Sequence, residues 1–240
     1  RGRSSDMRFQ PKLWATLFAV PAFLVLLGLG TWQVQRLAWK TDLIETRTQR
    51  IAGPALDIEA LLSAVSPEEV EYRAVTLSGV LHNNRPFRVL NRVYNATQGA
   101  HVVVPMVLDG GHGTIMVDRG WIPRGPLADI PTGSAVAVTL DGFVRAYTSP
   151  NAFLPANEPD QNNWFHMNEA EMLAAAGLKN GVGLYVEAGP STNASGREPV
   201  GAVPDVNLRN SHLQYAGTWY LLAAVLLVIF VIFHWRKEDS

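Results

Sequence analysis

The fold is decided at residues 17–30, which read Leu17-Phe18-Ala19-Val20-Pro21-Ala22-Phe23-Leu24-Val25-Leu26-Leu27-Gly28-Leu29-Gly30. This run lies within residues 13–35, none of which is charged. A helix needs roughly 20 apolar residues to cross the hydrocarbon core of a bilayer. The internal proline is compatible with this, because membrane helices tolerate proline better than soluble helices do. We therefore predict a transmembrane helix over residues 13–35.

A second apolar stretch, residues 213–235, predicts a second transmembrane helix near the other end of the chain. Two buried core helices are the alternative, but both runs exceed the roughly 14 apolar residues usual in soluble proteins. A cleaved signal peptide is an alternative for the first run, and its length and missing small-x-small site argue against it. Both stretches are flanked by the aromatic residues typical of membrane interfaces, namely Trp14, Trp32, Trp219, Tyr220 and Trp235.

Basic residues outside the two stretches predict the orientation. Residues 1–12 carry four basic side chains, and Arg236 and Lys237 follow the second stretch. The positive-inside rule places both ends, residues 1–12 and 236–240, in the cytoplasm. Arg36, Lys40 and Arg47 lie on the far side, at the root of a long domain, and long domains translocate largely regardless of charge.

Residues 36–206 form the predicted domain on the outer face. Alternating apolar residues predict strands, and Asn168, Glu171 and Gly177 are the cap and stop signals of a helix over residues 168–176. From residue 189 the chain is rich in Pro, Gly and Ser, which predicts a linker. The fold class is membrane α+β: two transmembrane helices flank a mainly antiparallel β domain with a few short helices. The predicted strands are 72–80, 86–92, 101–108, 114–121, 136–147 and 184–188.

Composition and motifs exclude several classes of function. There is no cysteine, which excludes disulfides, thiolate metal sites and thioether-linked haem. A net charge of −1 gives no reason to expect nucleic-acid binding. The six histidines lack zinc spacing, and no phosphate loop, nucleophile elbow or dinucleotide motif occurs. The isolated acids Asp118 and Asp141 are interpreted as surface or turn residues, so the sequence predicts no enzyme.

His212 is the candidate binding residue, because it lies at the entrance of the second apolar stretch beside Arg209. Trp32 and Arg36 lie at the end of the first stretch, at the same face of the membrane. Such a group could hold a haem, with imidazole on the iron, arginine on a propionate and aromatic rings against the macrocycle. The alternative is an interfacial histidine that only hydrogen-bonds the domain.

Short motifs occur in a fixed order between residues 28 and 222. They are Leu29-Gly30-Thr31-Trp32-Gln33-Val34-Gln35-Arg36, Trp39-Lys40, Tyr72-Arg73-Ala74-Val75, Val117-Asp118-Arg119-Gly120-Trp121-Ile122-Pro123, Gly142-Phe143-Val144-Arg145, Asn163-Trp164-Phe165, Asn210-Ser211-His212-Leu213-Gln214-Tyr215-Ala216 and Thr218-Trp219-Tyr220. Together they resemble the Surfeit locus protein 1 family of cytochrome oxidase assembly factors. The stretch Asp-Arg-Gly-Trp-Ile-Pro is the most specific of them.

The resemblance implies a haem a-binding assembly factor for the haem–copper cytochrome c oxidase. Its partners would be oxidase subunit I, haem a synthase and membrane lipid. His212 matches the family histidine that implies a ligand of the haem iron, and Trp32 and Arg36 match the end of the first span. Many members carry Asn at the position of Ser211. Catalytic turnover is not expected.

Three hypotheses follow from the sequence. The first is an assembly factor that binds haem a and assists its insertion into subunit I. The second is a cofactor-free membrane scaffold that stabilises an oxidase assembly intermediate, and the third, disfavoured by the missing motifs, is a membrane-anchored enzyme. The basic start without a long Arg/Ser-rich leader favours a bacterial inner membrane with a periplasmic domain, and the mitochondrial inner membrane is the alternative.

Overall fold

The computed structural model describes residues 7–9, 12–125, 133–150, 153–189, 199–201 and 210–237. The chain divides into two units. One comprises Arg1–Thr46 with Asn207–Ser240, and the other is the domain Arg47–Val206. Most of the predicted linker from residue 189 lies outside the described residues.

The first unit is built on two long helices, α1 (Leu13–Ala52) and α5 (His212–His234). Both are long and apolar enough to cross a membrane. Their large apolar side chains are mostly exposed, for example Phe18 at 71% and Leu221 at 65%. A core helix of a soluble protein would bury these side chains instead. The short strands β1 (Met7–Phe9) and β9 (Trp235–Lys237) pair antiparallel beside the helices.

Helix α1 continues well beyond the apolar stretch, so it ends inside the second unit. There Arg50 donates from Nη1 to the backbone oxygens of Glu68 and Glu71, at 2.7 and 3.2 Å. The last turn of α1, which belongs to the second unit, is therefore held by hydrogen bonds of Arg50 to the end of α3 (Pro67–Val70).

Three short α-helices belong to the described part of the domain, and the cap and stop signals predicted for the third of them act as expected. Asn168 accepts from the backbone of Glu171 and so caps the third of them, and Gly177 ends it in the left-handed conformation. Asp57 caps the first, accepting from the amide of Ala60 at 2.8 Å. The helices are α2 (Ile58–Leu62), α3 (Pro67–Val70) and α4 (Glu169–Ala176).

A seven-stranded sheet forms the body of the domain, with strand order β2-β6-β8-β5-β4-β3-β7. The pairings β5–β8 and β3–β7 are parallel, and the others are antiparallel, so the sheet is mixed. The predicted helix–sheet–helix order is thus confirmed, and the two parallel pairings were not predicted. The strands are β2 (Ala74–His82), β3 (Phe87–Tyr94), β4 (Thr97–Leu108), β5 (Thr114–Pro123), β6 (Ala135–Ala146), β7 (Asn163–Trp164) and β8 (Gly181–Ala188).

Each face of the sheet carries its own apolar cluster, because successive side chains of a strand point to opposite faces. The larger cluster includes Val75, Val104 and Val186, all fully buried. The smaller one lies under α4 and centres on Trp164, whose ring meets Phe87 edge-on at 5.1 Å. The antiparallel strands could therefore be predicted from the alternation of apolar and polar residues. The second face of the sheet is buried because α4 packs on it.

The motif Asp118-Arg119-Gly120-Trp121-Ile122-Pro123 at the end of β5 holds the chain around Val200 in place. Gly120 has φ +117°, and a Cβ at this position would lie 1.9 Å from the carbonyl oxygen of Val200. Trp121 exchanges two backbone hydrogen bonds with Val200, at 2.9 and 2.8 Å. Only a glycine allows this close approach, which explains why the motif needs one. Trp121 is 8% exposed and packs into the core.

Candidate functional site

The candidate site lies between the two long helices of the first unit. His212 is the first residue of α5, and Gln33 lies on α1 at the end of the apolar stretch. The imidazole Nδ1 and the amide Oε1 of Gln33 are 2.7 Å apart. Gln33 is almost fully buried, at 9% exposure, and His212 is partly exposed. Two residues separated by 179 positions in sequence are thus joined at one end of the helix pair.

This contact determines the tautomer of His212. An amide oxygen can only accept a hydrogen bond, so Nδ1 carries the proton and donates. In the neutral form of the ring, this tautomer presents the lone pair of Nε2. Within the part of the chain that the structure describes, Nε2 has no hydrogen-bond partner. A neutral imidazole oriented through its other nitrogen is the usual state of a metal-ligating histidine.

Small residues bring the two helices together next to this contact. A Cβ added to Gly30 would lie 2.8 Å from the ring of Tyr220, so the ring packs directly on the α1 backbone. The Tyr220 hydroxyl lies 3.1 Å from Oγ1 of Thr31. Ala216 is 2% exposed, one helical turn after His212. Small residues allow such close packing between helices surrounded by lipid.

The other predicted site residues lie close by on α1. Trp32 precedes Gln33 and is 53% exposed. Arg36 follows one turn later, is exposed, and packs its guanidinium over the ring of Trp39 at 3.9 Å. Their side chains are therefore available to a ligand, whereas the side chain that touches His212 is that of Gln33. Sequence reasoning placed Gln33 at the end of the apolar stretch and gave it no role, although an amide at the end of an apolar run is a visible signal.

The residues before His212 are described only in part. Arg209, which the sequence predicts as a site residue, lies outside the described residues. Asn210 is described, and its Oδ1 is buried without a hydrogen-bond partner among the described residues. A buried carbonyl oxygen of this kind costs free energy unless a donor reaches it. The start of α5 therefore holds an acceptor that a bound molecule could satisfy.

A second polar group crosses the sheet of the domain. His101 on β4 and Asp118 on β5 meet at 2.6 Å between Nδ1 and Oδ2. Asp118 is 5% exposed and also accepts from the amide of Gly120 at 2.9 Å. The interpretation of Asp118 as a surface residue is therefore wrong. The histidine that pairs with it comes from a different strand, which spacing along the sequence does not show.

The same face carries an ion pair between Arg145 on β6 and Glu187 on β8, with 2.7 Å between Nη1 and Oε1. Burial raises the pKa of the Glu187 carboxyl, and the charge of Arg145 offsets this only in part. Burial lowers the pKa of Arg145, but the nearby Glu187 carboxylate more than offsets this, so the guanidinium stays protonated. Glu187 is also the register partner of Asp118. These internal pairs link four adjacent strands, so we assign the polar group to the structure of the sheet.

Among the residues that the structure describes, no group of three or more His, Asp or Glu side chains could hold a metal ion.

Comparison with known proteins identifies the relatives of this chain. A model of the SURF1 family matches residues 20–224. Surfeit locus protein 1 of Homo sapiens is 32% identical over 226 residues, covering 87% of this chain and 72% of the human protein. Surfeit locus protein 1 of Mus musculus is 30% identical over 225 residues, covering 87% and 71%. The SURF1-like protein of Caenorhabditis briggsae is 26% identical over 244 residues, covering 91% and 75%. The matched stretch includes both Gln33 and His212.

Proposed function

This chain belongs to the SURF1 family, and from that premise we propose that it is an assembly factor for haem–copper cytochrome c oxidase. In this proposal it binds haem a as cargo and assists its insertion into subunit I. The observation that carries the proposal is the imidazole of His212, whose Nδ1 is held by Gln33 at 2.7 Å while Nε2 keeps its lone pair. Iron in a macrocycle needs one such axial ligand from the protein.

The surroundings of His212 fit a haem group. Trp32 and Arg36 lie exposed on α1 on either side of Gln33, where an indole can cover part of a macrocycle and a guanidinium can pair with a propionate. Arg209, adjacent in sequence to the start of α5, is proposed as a second propionate partner. The buried, unpartnered Oδ1 of Asn210 offers an acceptor to the same ligand. The haem supplies an electrophilic iron, and the chain supplies the nitrogen, charge and apolar wall that hold it.

We also propose a location and an orientation. The helices α1 and α5 would cross a bacterial inner membrane with residues 1–12 and 236–240 in the cytoplasm and the sheet domain in the periplasm. Because the chain has no cysteine, single cysteines report the topology directly. In spheroplasts, a membrane-impermeant maleimide should label Ser78→Cys in the domain and leave Ser240→Cys unlabelled until the membrane is opened. The reverse pattern would refute the orientation.

The proposed role requires binding and release and no covalent change in the cargo. No catalytic residue is therefore assigned, and His212 acts only through its lone pair. Subunit I is proposed as the recipient, and haem a synthase as the donor, because a poorly soluble macrocycle should pass between proteins at the membrane without entering water.

The test is an absorption spectrum of the detergent-purified chain after co-expression with the enzymes of haem a biosynthesis. The wild-type protein should carry a haem a band, and His212→Ala should lose or shift it. His112→Ala is the matched control, because this histidine lies in the sheet domain and its removal should leave the spectrum unchanged. A His212→Ala spectrum identical to wild type would refute the assignment of the iron ligand.

A cofactor-free scaffold is the second candidate, and the Gln33–His212 contact supports it as well. A hydrogen bond between two lipid-facing helices stabilises their pairing even when the histidine binds nothing. The scaffold predicts a colourless wild-type protein that still co-purifies with subunit I. Haem in the wild-type protein and its loss in His212→Ala would exclude it.

A further inference from the structure

A polar pocket of about 330 Å³ opens in the domain where β3, β4 and β5 come together, and the proposed haem site does not use it. All the residues that line it belong to Arg47–Val206. Its lining combines apolar residues with two cations and three side-chain amides. The residues that matter here are Leu90, Ile122, Arg88, Arg124, Asn91 and Gln98.

Arg88 is the fixed cation of the pocket. One of its terminal nitrogens donates to Oδ1 of Asn163, and the other donates to the backbone oxygen of Gly125 at 3.4 Å. Its Nε is buried and has no hydrogen-bond partner within the described part of the chain. A guanidinium that is held in place and still has a donor to satisfy is prepared for an acceptor, because an unmet buried donor costs free energy.

Arg124 supplies the second charge from the mouth of the pocket, where its side chain is exposed. No acidic residue lines the pocket among the residues described. Glu158 lies outside the lining and is linked to the pocket through Asn163, whose side-chain amide donates to its Oε2 at 2.9 Å. The lining carries two arginines, and Glu158 lies outside it, one hydrogen bond away through Asn163. The pocket is therefore positively charged.

The backbone keeps the pocket open. Asn91 has φ +59°, and the pairing of β3 with β4 shifts register between Val89 and Arg92. Such a bulge bends its strand away from its partner. A Cβ at Gly99, which also lines the pocket, would lie 2.1 Å from the carbonyl oxygen of Ile122, so β4 and β5 approach closely there. The space therefore results from the course of the strands and does not depend on one side-chain rotamer.

We propose that this pocket binds an oxyanion, a carboxylate or phosphate group attached to a small apolar moiety. Paired arginines recognise such groups through charge-assisted hydrogen bonds. The amides of Asn91 and Gln98 can donate to the remaining oxygens, and Leu90 and Ile122 can contact the apolar part. The volume is at the small end of the range of about 300–1,000 Å³ for ligand pockets, so a headgroup or a small organic acid fits and a macrocycle does not.

The test is isothermal titration calorimetry on the full chain in a neutral detergent at constant ionic strength. The probes are inorganic phosphate, citrate and dioctanoyl phosphatidylglycerol. Arg124→Ala is the informative variant, because an exposed side chain can be removed without disturbing the fold. Lys179→Ala removes the same charge from an exposed position of the domain that does not line the pocket, and serves as its control.

The wild-type protein should bind at least one probe. Arg124→Ala should raise the dissociation constant of that probe roughly tenfold or more, which is the effect expected for the loss of one charge-assisted hydrogen bond. Lys179→Ala should bind like wild type, and Arg124→Lys should recover part of the affinity. Binding of the lipid alone identifies a headgroup as the ligand, and binding of phosphate or citrate identifies a free anion. Failure of all three probes, or equal binding by wild type and Arg124→Ala, would overturn the proposal. Because the haem spectrum is measured separately, neither result depends on the other.

Discussion

Replacing Gly120 by alanine should strongly destabilise the domain, because the motif at the end of β5 allows no side chain there. The new Cβ would lie 1.9 Å from the carbonyl oxygen and 2.4 Å from the carbonyl carbon of Val200. These are backbone atoms, so the overlap cannot be relieved by rotating a side chain. The chain around residue 200 would have to move away from β5.

The cost can be worked from the contacts that would be lost. Trp121 and Val200 exchange two backbone hydrogen bonds, each worth about 1 kcal/mol net. The φ of +117° at Gly120 adds of order 1–3 kcal/mol of backbone strain for a residue with a Cβ. The sum is about 3–5 kcal/mol. Since domains are stable by about 5–15 kcal/mol, this loss would remove a large part of the free energy of unfolding.

Urea unfolding of the purified chain in detergent, followed by tryptophan fluorescence, measures this loss. The buried rings of Trp121 and Trp164 report on the domain. Gly111→Ala is the matched control, because Gly111 also has a positive φ, +77°, but has nothing within 4 Å of the added carbon. It should cost only about 1–2 kcal/mol of strain. If both variants lost the same stability, the close approach of Val200 would not be the reason for the glycine.

Four further predictions concern the helix pair and the domain. Gln33→Leu should weaken haem binding roughly tenfold in a haem titration, because it removes the group that orients the ligating imidazole, and unchanged affinity would contradict this. Gly30→Val should lower haem occupancy, because the new side chain would push the ring of Tyr220 and its helix away from α1. Gly28→Val should not, because there is open space around Gly28, and equal occupancy in both variants would refute the role of close helix packing. Trp164→Ala should cost about 3–5 kcal/mol in urea unfolding, because the ring is fully buried, and a loss below about 1 kcal/mol would show that the site collapses. Burial raises the pKa of the Glu187 carboxyl in the folded state above its ordinary 4.5. Its contribution to stability is therefore full below pH 4.5 and is lost as the pH rises through the folded-state pKa. The melting temperature should fall less steeply with rising pH in Glu187→Gln than in wild type, and parallel curves of melting temperature against pH would contradict the shift.

Those parts of the fold that depend on local patterns could be predicted from the sequence. The apolar run of α1 needs no partner to be recognised, because length and composition alone define it. The helix α4 carries its own cap at Asn168 and its own stop at Gly177, and both act as expected. The antiparallel strands follow from alternation, since one face of each is buried.

Contacts between distant strands could not be predicted in the same way. His101 and Asp118 lie 17 positions apart and meet only because β4 and β5 pair with an irregular register between His101 and Val103. The parallel pairing of β5 with β8 depends on the whole strand order, which no local signal encodes. Arg88 likewise looks like a surface residue of a strand in the sequence, because only the fold brings Asn163 and Gly125 within hydrogen-bonding distance of its guanidinium.

The packing between α1 and α5 explains why the position of the His212 imidazole can be precise although His212 is the first residue of its helix. On α1, Gly30 and Gln33 are three residues apart and so lie on one face. On α5, His212, Ala216 and Tyr220 follow at intervals of four and share a face in the same way. The side chains that pack the helices therefore continue directly into the pair that orients the imidazole. The position of Nε2 is then set by close backbone packing one turn away, so residues that never touch a ligand should control its binding.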